Sequence, residues 1–527
     1  MIWEKLTAGV KIILFLLIGS VIFMKIQNIM IPDLGTKNIE HFYTLKEDSV
    51  DAITLGTSHM INAYSPEEVY EQYGLSTYNL GTSGQSIESS YYLTVELLKT
   101  QKPQVIILDA SSLFFDDSGS VENWRRVMDV LNYSENKYEM SKDFIDKFPE
   151  EEFLSAIFPI YQYHTRWNEL GKSDFRSGLE EYSDFGNYLG ENIHPPQVSK
   201  EEMNNLTNRS NENYNETVWV EGEKEEIERN IGHDYEVEIT EANKSYLRAI
   251  RDLCNANGIK FLLIKIPVIQ DPEVYTSAWT ELRSNYVKEL CEEYSINYLD
   301  LLYDNTEYAL NYETDFLDGG GHLNVRGMIN VSGFLGKYLI DEYGLSAKKN
   351  EELETKKVLY DEKRDLALIR TESDFLTYFQ RVLQYKGQNW DIFITGTANM
   401  LSSINDDYKA QLASLGLQTD FNQYTQGAYL AYIENDTVPY EAYSSLTASY
   451  DCPLEDDTMV HLEATGRENS WYTSITFPFT DEDGNAVNFT RHDSSLTIVV
   501  YSPEDEEILD SAYFILNEDG TVSRVWQ

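Results

Sequence analysis

The sequence predicts an α/β protein whose main domain has a mostly parallel sheet, between an N-terminal apolar segment and a C-terminal α+β domain. Short apolar runs alternate with segments of helical periodicity over about residues 45–345, which favours a three-layer arrangement with helices on both faces of the sheet. One run, IKFLLIKIPV at residues 259–268, is almost continuously apolar, as expected of a strand covered on both faces. Polar turns containing glycine follow two of the runs.

The first element is the uncharged segment Ile12–Met24, which lies between Lys11 and Lys25. At about 1.5 Å per residue it covers only about 20 Å, but the lysines can snorkel and the apolar character continues to Pro32, which suffices for a bilayer core of about 30 Å. A cleaved signal peptide is the alternative, although small residues suited to cleavage do not follow Met24. Basic residues precede the segment and an acidic chain follows, so residues 1–32 are predicted to anchor the protein in the cell membrane by a single pass, with a cytoplasmic N-terminus and an extracytoplasmic bulk.

The next elements are those of the α/β domain. Helices are predicted from Ser65-Pro66, where a capping residue precedes proline, and near Asn324. Two further helices carry apolar stripes that include Ile87 and Tyr91 in one and Ile250 and Cys254 in the other. The predicted strands are DAITL, LSTYNL, VIILD, IKFLLIKIPV and INYLDL.

An acidic, aromatic insertion at about residues 116–239 interrupts this pattern. Residues 346–366 are charged and read as a helical or flexible linker. The remainder, about residues 367–527, begins with a helix carrying Phe375 and Phe379 and continues with strands such as WDIFITG and SSLTIVVYS. This pattern indicates a separate α+β domain.

Composition excludes several classes of protein. The 527 residues are 42% hydrophobic and 13% aromatic, which is too rich in packing residues for a mainly disordered chain. The net charge of −48 opposes binding to nucleic acid. Only three cysteines are present, so the protein is not a disulfide scaffold. No cofactor is predicted, and no His, Cys and Asp cluster has the spacing of a metal site.

Three turns contain the candidate chemistry. In LGTSHM, Ser58 follows a strand, where its hydroxyl can project over the sheet edge and its N–H can stabilise an oxyanion, unless it is only a helix cap. In NLGTSGQS, Gly81 and Gly84 let backbone N–H groups approach a bound group, unless they only form a tight turn. In DFLDGGGHLNVRG, His322 precedes a helix and Asp318 lies close by. A serine nucleophile needs a base, and that base needs an orienting carboxylate, so the three turns together are more specific than any one of them.

These turns, in this order, resemble the first, second and last sequence blocks of the SGNH/GDSL hydrolase family. With the anchor and the His-Leu-Asn-x-x-Gly ending, the chain is most similar to the membrane-anchored, extracytoplasmic branch that contains the D-alanyl-lipoteichoic acid biosynthesis protein and alginate O-acetylation proteins. The resemblance covers about residues 45–345. It implies Ser58 as nucleophile, His322 as general base, Asp318 as its orienting carboxylate, and the N–H groups of Ser58 and Gly84, or alternatively Gly81, as oxyanion donors.

Two features depart from that family. Asp and His of the last block are normally separated by two residues, whereas three glycines separate Asp318 from His322, which leaves Asp315 as the fallback. The third block usually supplies an oxyanion asparagine, but DASS at residues 109–112 follows the strand VIIL. Loss of one oxyanion donor costs on the order of 10²–10³ in rate, so either another group substitutes or the protein is slow.

Two other segments have weaker resemblances. FPIYQYHTRWNELGKSDF, residues 158–175, is similar to a segment of Gram-positive members of the same branch, and its His164, Arg166 and Trp167 suit contact with a glycan, unless they belong to a packed helix. Most of residues 370–516 resembles the interleukin-like EMT inducer domain, which implies a role in recognition, with carbohydrate as one candidate ligand.

Two functions from different classes follow. The first is a cell-surface SGNH-type O-acyltransferase or acylesterase that acts on acyl groups, with acetyl expected, of an envelope polysaccharide or teichoic-type glycan. The family resemblance implies a membrane-bound O-acyltransferase as its partner. The second is an anchored glycan-binding or assembly protein whose site has lost catalysis.

Overall fold

The structure is a computed structural model, and its described residues form two compact units. The first unit holds the described residues up to 310 and those from 321 to 360, and the second holds residues 314–317 and those from 361 onward. The described residues are 2–114, 120–171, 173–175, 239–268, 277–301, 310, 314–317, 321–384, 389–423, 426–435, 437–454, 458–467, 470–480, 484–504 and 506–525.

The N-terminal helix, α1, spans Ile2–Met30. Its part from Val10 to Met30 is long and apolar enough to cross a membrane. Only 6% of its most apolar window is buried against protein, as a lipid-facing helix requires. The apolar span is thus present, and its orientation in the membrane stays a prediction.

The first unit is built around a five-stranded parallel sheet with the order β2-β1-β3-β4-β5. This confirms the predicted α/β class. Because the strand order reverses between β1 and β3, the carboxyl ends of these strands open a crevice of the kind where doubly wound sheets place their sites. The strands are β1 Ala52–Leu55, β2 Thr77–Asn79, β3 Val105–Asp109, β4 Lys260–Lys265 and β5 Asn297–Asp300.

Helices connect these strands and cover both faces of the sheet. Two helices begin where the sequence predicts them, because Ser65 Oγ accepts the Glu68 N–H and Asn324 Oδ1 accepts the Arg326 N–H. The helices are α2 Lys37–Phe42, α3 Ser58–Ala63, α4 Pro66–Tyr73, α5 Ile87–Leu97, α6 Val121–Met128, α7 Glu135–Lys147, α8 Phe153–Ile157, α9 Ile160–Tyr163, α10 Glu241–Ala256, α11 Ser277–Tyr294, α12 Val325–Tyr343 and α13 Glu351–Arg370.

The hydrophobic core explains why the strands are so apolar. Alternate residues such as Ile53, Ile106 and Leu263 face one core cluster with α5, α10 and α11. The intervening residues, such as Ile107 and Leu262, are also fully buried. A strand covered on both faces has no polar side, which accounts for the continuous apolar runs in the sequence.

The second unit is an antiparallel sheet domain with helices, in agreement with the predicted α+β class. Its six-stranded sheet has the order β10-β9-β8-β15-β16-β17, and a four-stranded sheet has the order β11-β12-β13-β14. Side chains such as Phe393 and Val499 pack against Leu462 and Phe477 between the sheets. The strands are β8 Asp391–Thr397, β9 Ala428–Glu434, β10 Thr437–Ser444, β11 Thr447–Pro453, β12 Met459–Arg467, β13 Ser470–Thr480, β14 Ala486–Arg491, β15 Ser495–Ser502, β16 Glu507–Leu516 and β17 Val522–Val525.

Helices α14 Phe375–Gln384, α15 Ala398–Ser403 and α16 Asp406–Ser414 complete the second unit, which also holds β6 Phe316–Leu317. The predicted linker coincides largely with α13, whose Leu353 and Tyr360 are buried in the first unit. Tyr360 accepts from Ser65 Oγ and donates to Glu68, each at 3.1 Å. This part of the segment is therefore packed structure.

Candidate active site

Ser58 lies on a tight turn between β1 and α3. The turn begins at Gly56, whose φ of +147° is a backbone conformation that favours glycine. A Cβ at this position would lie 2.5 Å from the Cβ of Asp109, so Gly56 also allows the turn to approach β3 closely. Thr57 caps α3 by accepting the His59 N–H, and Ser58 is the first residue of that helix. The Ser58 N–H therefore has no intrahelical acceptor and is available to a ligand.

The Ser58 hydroxyl contacts the ring of His322. Ser58 Oγ and His322 Nε2 are 2.7 Å apart, although the two residues are 264 positions apart in the chain. His322 lies in the short strand β7, His322–Leu323, directly before the Asn324 cap of α12. Both side chains are partly exposed. A hydroxyl that shares a hydrogen bond with an accessible imidazole is the pair that nucleophilic catalysis requires.

The orienting carboxylate is not identified by these contacts. Asp318, the first choice from the sequence, lies outside the described residues. Asp315, the fallback, is buried, belongs to the second unit and accepts a hydrogen bond from Thr314 Oγ1 at 2.9 Å. The carboxylate partner of His322 stays a prediction.

The glycine turn after β2 lies beside the Ser58 turn. The Thr82 N–H donates to the Gly56 carbonyl at 3.0 Å, which ties the two turns together. The Gly81 N–H donates to Asn79 Oδ1 at 3.0 Å and so is engaged inside its own turn. The Gly84 N–H has no hydrogen-bond partner among the described residues, and Gly84 adopts a φ of +64°. Of the two glycines, Gly84 is the one with an N–H free for an oxyanion.

Asn123, on α6, is a polar neighbour of this turn that the sequence did not reveal. A Cβ at residue 84 would lie 2.4 Å from Asn123 Nδ2, so the amide packs directly against Gly84. Asn123 Oδ1 accepts from Arg126 at 2.9 Å, and Arg126 also donates to the Ser83 carbonyl at 2.8 Å. Both Nδ2 and Oδ1 of Asn123 thus lie against Gly84, and Oδ1 is the atom that Arg126 engages.

A second polar group lies on the β3 side of Ser58. The rings of His59 and His322 are 5.1 Å apart between centroids, and His59 Nδ1 lies 3.1 Å from Ser111 Oγ. Lys265, at the end of β4, donates to the same hydroxyl at 3.2 Å. Since β1 lies between β2 and β3 in the sheet, this group and the Gly84 turn flank Ser58 on opposite sides.

Asp109 supports the turn that carries Ser58. It is fully buried at the end of β3, where one carboxylate oxygen accepts from Thr57 Oγ1 at 2.7 Å and the other accepts the Ser111 N–H at 3.0 Å. Asp109 occupies the segment where the resembling family has its third block, but its oxygens are acceptors in use and cannot stabilise an oxyanion. In the sequence, the signal for this supporting role is that the charged residue Asp109 ends the otherwise apolar strand VIILD.

The residues predicted to contact a glycan lie in the first unit, where the polar contacts of His164 and Arg166 are with α1 and with their own segment. Arg166 donates to the carbonyls of Ile29 and Met30 at the end of α1 and forms an ion pair with Asp174. His164 Nδ1 contacts the Tyr161 carbonyl at 2.8 Å, and Trp167 is 72% exposed. The Arg166 guanidinium is thus already engaged by protein groups.

Among the described residues, no group of three or more His, Cys, Asp or Glu side chains is arranged to hold a metal ion. Cys254, Cys291 and Cys452 are buried, and burial raises the pKa of the Cys254 thiol to about 12. These thiols are packing residues and not nucleophiles.

Comparisons with known proteins give one family and several distant structures. The family model described as "Protein of unknown function (DUF1574)" matches residues 25–324. No curated protein matches the sequence. Similar solved structures include a GDSL-like lipase from Bacteroides thetaiotaomicron (10% identity, TM-score 0.27, 59% of this chain and 98% of that chain). Another is a putative acylhydrolase from Bacteroides fragilis (11% identity, TM-score 0.26, 59% of this chain and 95% of that chain). A third is a mutant acetyl-xylooligosaccharide esterase from Geobacillus (10% identity, TM-score 0.25, 58% of this chain and 99% of that chain).

Proposed function

The chain belongs to this family of unknown function, and from the geometry of its site we propose that it is a serine-dependent acyl-transfer enzyme. More closely, we propose an SGNH-type O-acyltransferase or acylesterase at the cell surface that acts on acetyl or similar acyl groups of an envelope polysaccharide. The observation that carries this proposal is the 2.7 Å contact between Ser58 Oγ and His322 Nε2. That distance lies within the range over which a general base removes a hydroxyl proton.

The reaction would proceed in two steps. Ser58 Oγ attacks the acyl carbonyl while His322 Nε2 takes the hydroxyl proton, and the resulting tetrahedral intermediate expels the alcohol, which receives that proton. The acyl group is then an ester on Ser58. Water or a sugar hydroxyl attacks this ester, gives its proton to His322 and regenerates Ser58. Water as acceptor makes the protein an esterase, and a sugar hydroxyl makes it a transferase.

The oxyanion would be stabilised by donors on the Gly84 side of the site. The N–H groups of Ser58 and Gly84 are two such donors, and we propose the side-chain amide of Asn123 as the third. Asn123 would replace the asparagine that the resembling family places after the third strand, where this chain has the engaged acceptor Asp109. Such donors act where charge develops in the transition state.

The flanking side chains favour a polar acceptor. His59, Ser111 and Lys265 place a ring nitrogen, a hydroxyl and an ammonium group beside the reacting pair. These groups can bind sugar hydroxyls, whereas a long apolar acyl chain would remove polar and charged groups from water at a cost in free energy. We propose a small acyl group and a hydroxylated acceptor for this reason, and a membrane-bound O-acyltransferase as the source of the acyl group.

The proposal is tested with the full chain in detergent and p-nitrophenyl acetate as a generic acyl donor. An acyl-enzyme that forms faster than it is hydrolysed accumulates, and this predicts a burst of about one equivalent of p-nitrophenol per chain. Ser58→Ala and His322→Gln should abolish the burst, and Ser83→Ala, at an exposed serine of the neighbouring turn, should retain it. Adding an oligosaccharide and detecting its acetylated product by mass spectrometry distinguishes transfer from hydrolysis.

A second candidate function is an anchored glycan-binding or assembly protein without turnover. Two features favour this second function. Asp109, where SGNH hydrolases have an oxyanion asparagine, is already hydrogen-bonded to Thr57, and three glycines separate Asp318 from His322. It predicts no burst in any variant, together with binding of envelope glycan that survives Ser58→Ala.

A further inference from the structure

Large apolar side chains are exposed on one segment of the first unit. Trp167 is 72% exposed, Phe175 65%, Tyr161 52% and Leu154 51%. All four lie within residues 153–175, which include α8 and α9. Single exposed apolar residues are ordinary, but a group of them on one segment indicates a surface that is covered in use.

This segment contacts the membrane-spanning helix directly. The rings of Phe158 and Phe23 meet edge to face, with centroids 5.8 Å apart. Arg166 donates to the carbonyls of Ile29 at 3.3 Å and Met30 at 3.2 Å, which are among the unpaired acceptors at the end of α1. The segment is therefore held at the carboxyl-terminal end of α1.

The position of Phe23 gives the depth of the contact. Phe23 precedes Met30 by seven residues, which is roughly 10 Å along a helix. Lys25, two residues beyond Phe23, is the first charged residue after the apolar run. Its ammonium group must reach the lipid headgroups. Phe158 touches the helix close to this lysine, and this places the segment near the headgroup region.

The charge of most of the segment fits the same location. Residues 153–168, FLSAIFPIYQYHTRWN, contain no Asp or Glu, although the whole chain has 89 of them in 527 residues, and Glu169 and Asp174 lie between this stretch and Phe175. Its one arginine, Arg166, is paired with Asp174 and with backbone carbonyls. Aromatic side chains with polar edges are typical of membrane interfaces, and carboxylates are repelled there by anionic lipid.

Buried polar contacts hold the segment rigidly on the first unit. Arg125 donates to Ser155 Oγ at 2.9 Å and forms an ion pair with Glu151. The Tyr163 hydroxyl donates to the buried carboxylate of Asp129 at 2.8 Å. The apolar side chains are thus exposed on a fixed surface.

We propose that residues 153–168, together with Phe175, form an interfacial platform that lies in the headgroup region of the membrane crossed by α1. Leu154, Tyr161, Trp167 and Phe175 would contact lipid, as on an amphipathic segment bound in the membrane plane. The platform would add a second attachment to the anchor and fix the orientation of the first unit on the bilayer. This inference does not depend on the catalytic role of Ser58.

The test places a nitroxide spin label at the platform in the full chain. The three native cysteines are buried, so Trp167→Cys and Leu154→Cys can be labelled selectively. Lys337→Cys is the matched control, because its side chain is 62% exposed on α12, in the same unit. The chains are reconstituted into phosphatidylcholine vesicles containing phosphatidylglycerol, and accepted when their circular dichroism equals that of the wild type. Collision rates are then measured with oxygen, which concentrates in lipid, and with a water-soluble nickel complex.

The proposal predicts an oxygen-to-nickel collision ratio several-fold higher at residues 154 and 167 than at residue 337. Equal ratios at all three positions would place the platform in water and overturn the proposal. Protection of residues 154 and 167 from both reagents would also overturn it, because that result means that protein and not lipid covers the surface.

Discussion

Substitution of Gly56 by alanine tests whether the nucleophile turn depends on its close approach to β3. The added Cβ would lie 2.5 Å from the Cβ of Asp109, whereas ordinary contact begins near 3.4 Å, so the turn and β3 must separate by about 0.9 Å. The φ of +147° adds strain for any L side chain. We expect a loss of stability of about 1–3 kcal/mol from the backbone and about 1–3 kcal/mol from overpacking.

The matched control is Gly344→Ala. Gly344 has a φ of +70°, and no atom lies within 4 Å of the position that a Cβ would occupy there, so this variant carries backbone strain without the steric overlap. A displacement of about 1 Å at a catalytic group costs on the order of 10²-fold in rate. The p-nitrophenol burst should therefore slow by about 10²-fold in Gly56→Ala and stay unchanged in Gly344→Ala. Wild-type burst kinetics in folded Gly56→Ala protein would refute the role assigned to this turn.

Three further predictions concern the base, the oxyanion and the buried charge under the platform. Asp318→Asn should slow the burst by up to about 10⁴-fold because His322 loses its orienting carboxylate. If only Asp315→Asn slows the burst by this amount, Asp315 and not Asp318 orients His322. Asn123→Ala should slow the burst by roughly 10²–10³-fold, and an effect no larger than that of Ser83→Ala would exclude Asn123 as an oxyanion donor. Burial raises the pKa of Asp129 from its ordinary 3.8 to about 6, against the attraction of Arg125, a difference worth roughly 3 kcal/mol. The folded protein binds the Asp129 proton more tightly than the unfolded chain does. The resulting contribution to the free energy of unfolding is therefore fully present below about pH 4 and is lost as the pH rises through 6. The difference between the melting temperatures of Asp129→Asn and the wild type should accordingly increase from pH 4 to pH 7. A difference that stays constant or decreases would contradict this.

The sequence predicted that Ser58 and His322 lie together, because the signals for this contact are local. Ser58 follows an apolar strand with a glycine turn, and His322 immediately precedes a helix cap. Parallel strands bring such turns to one edge of a sheet, so the 2.7 Å contact required only the correct fold class and order. Asn123 and Lys265 could not be predicted in this way, because their positions depend on how α6 packs and where β4 ends.

Helical periodicity did not show how deeply each residue of α5 is buried. In the predicted stripe Ile87 is buried but Tyr91 and Val95 are only partly buried, whereas Leu93 and Leu97, outside the stripe, lie in the core. The helix carries apolar residues on both sides, and Tyr91 and Val95 line an open groove with α7 and α10. Spacing alone does not distinguish a core from a groove.

In the second unit, the sequence revealed the central strands better than the peripheral ones. The predicted segments WDIFITG and SSLTIVVYS correspond to β8 and β15, which are buried along their length. The strand β10 contains Pro439 and a register shift, and it lies at the edge of its sheet. Proline is tolerated at such an edge but removes the pattern by which a strand is recognised.

The most direct test of the central claim is the stoichiometry and location of covalent labelling by a fluorophosphonate. The pairing of Ser58 with His322 predicts one adduct per chain, found by mass spectrometry on the peptide that contains Ser58 and lost in His322→Gln. Absence of an adduct at high reagent concentration, or an adduct on Ser58 that forms at the same rate in His322→Gln, would contradict an enzyme that uses His322 as its base.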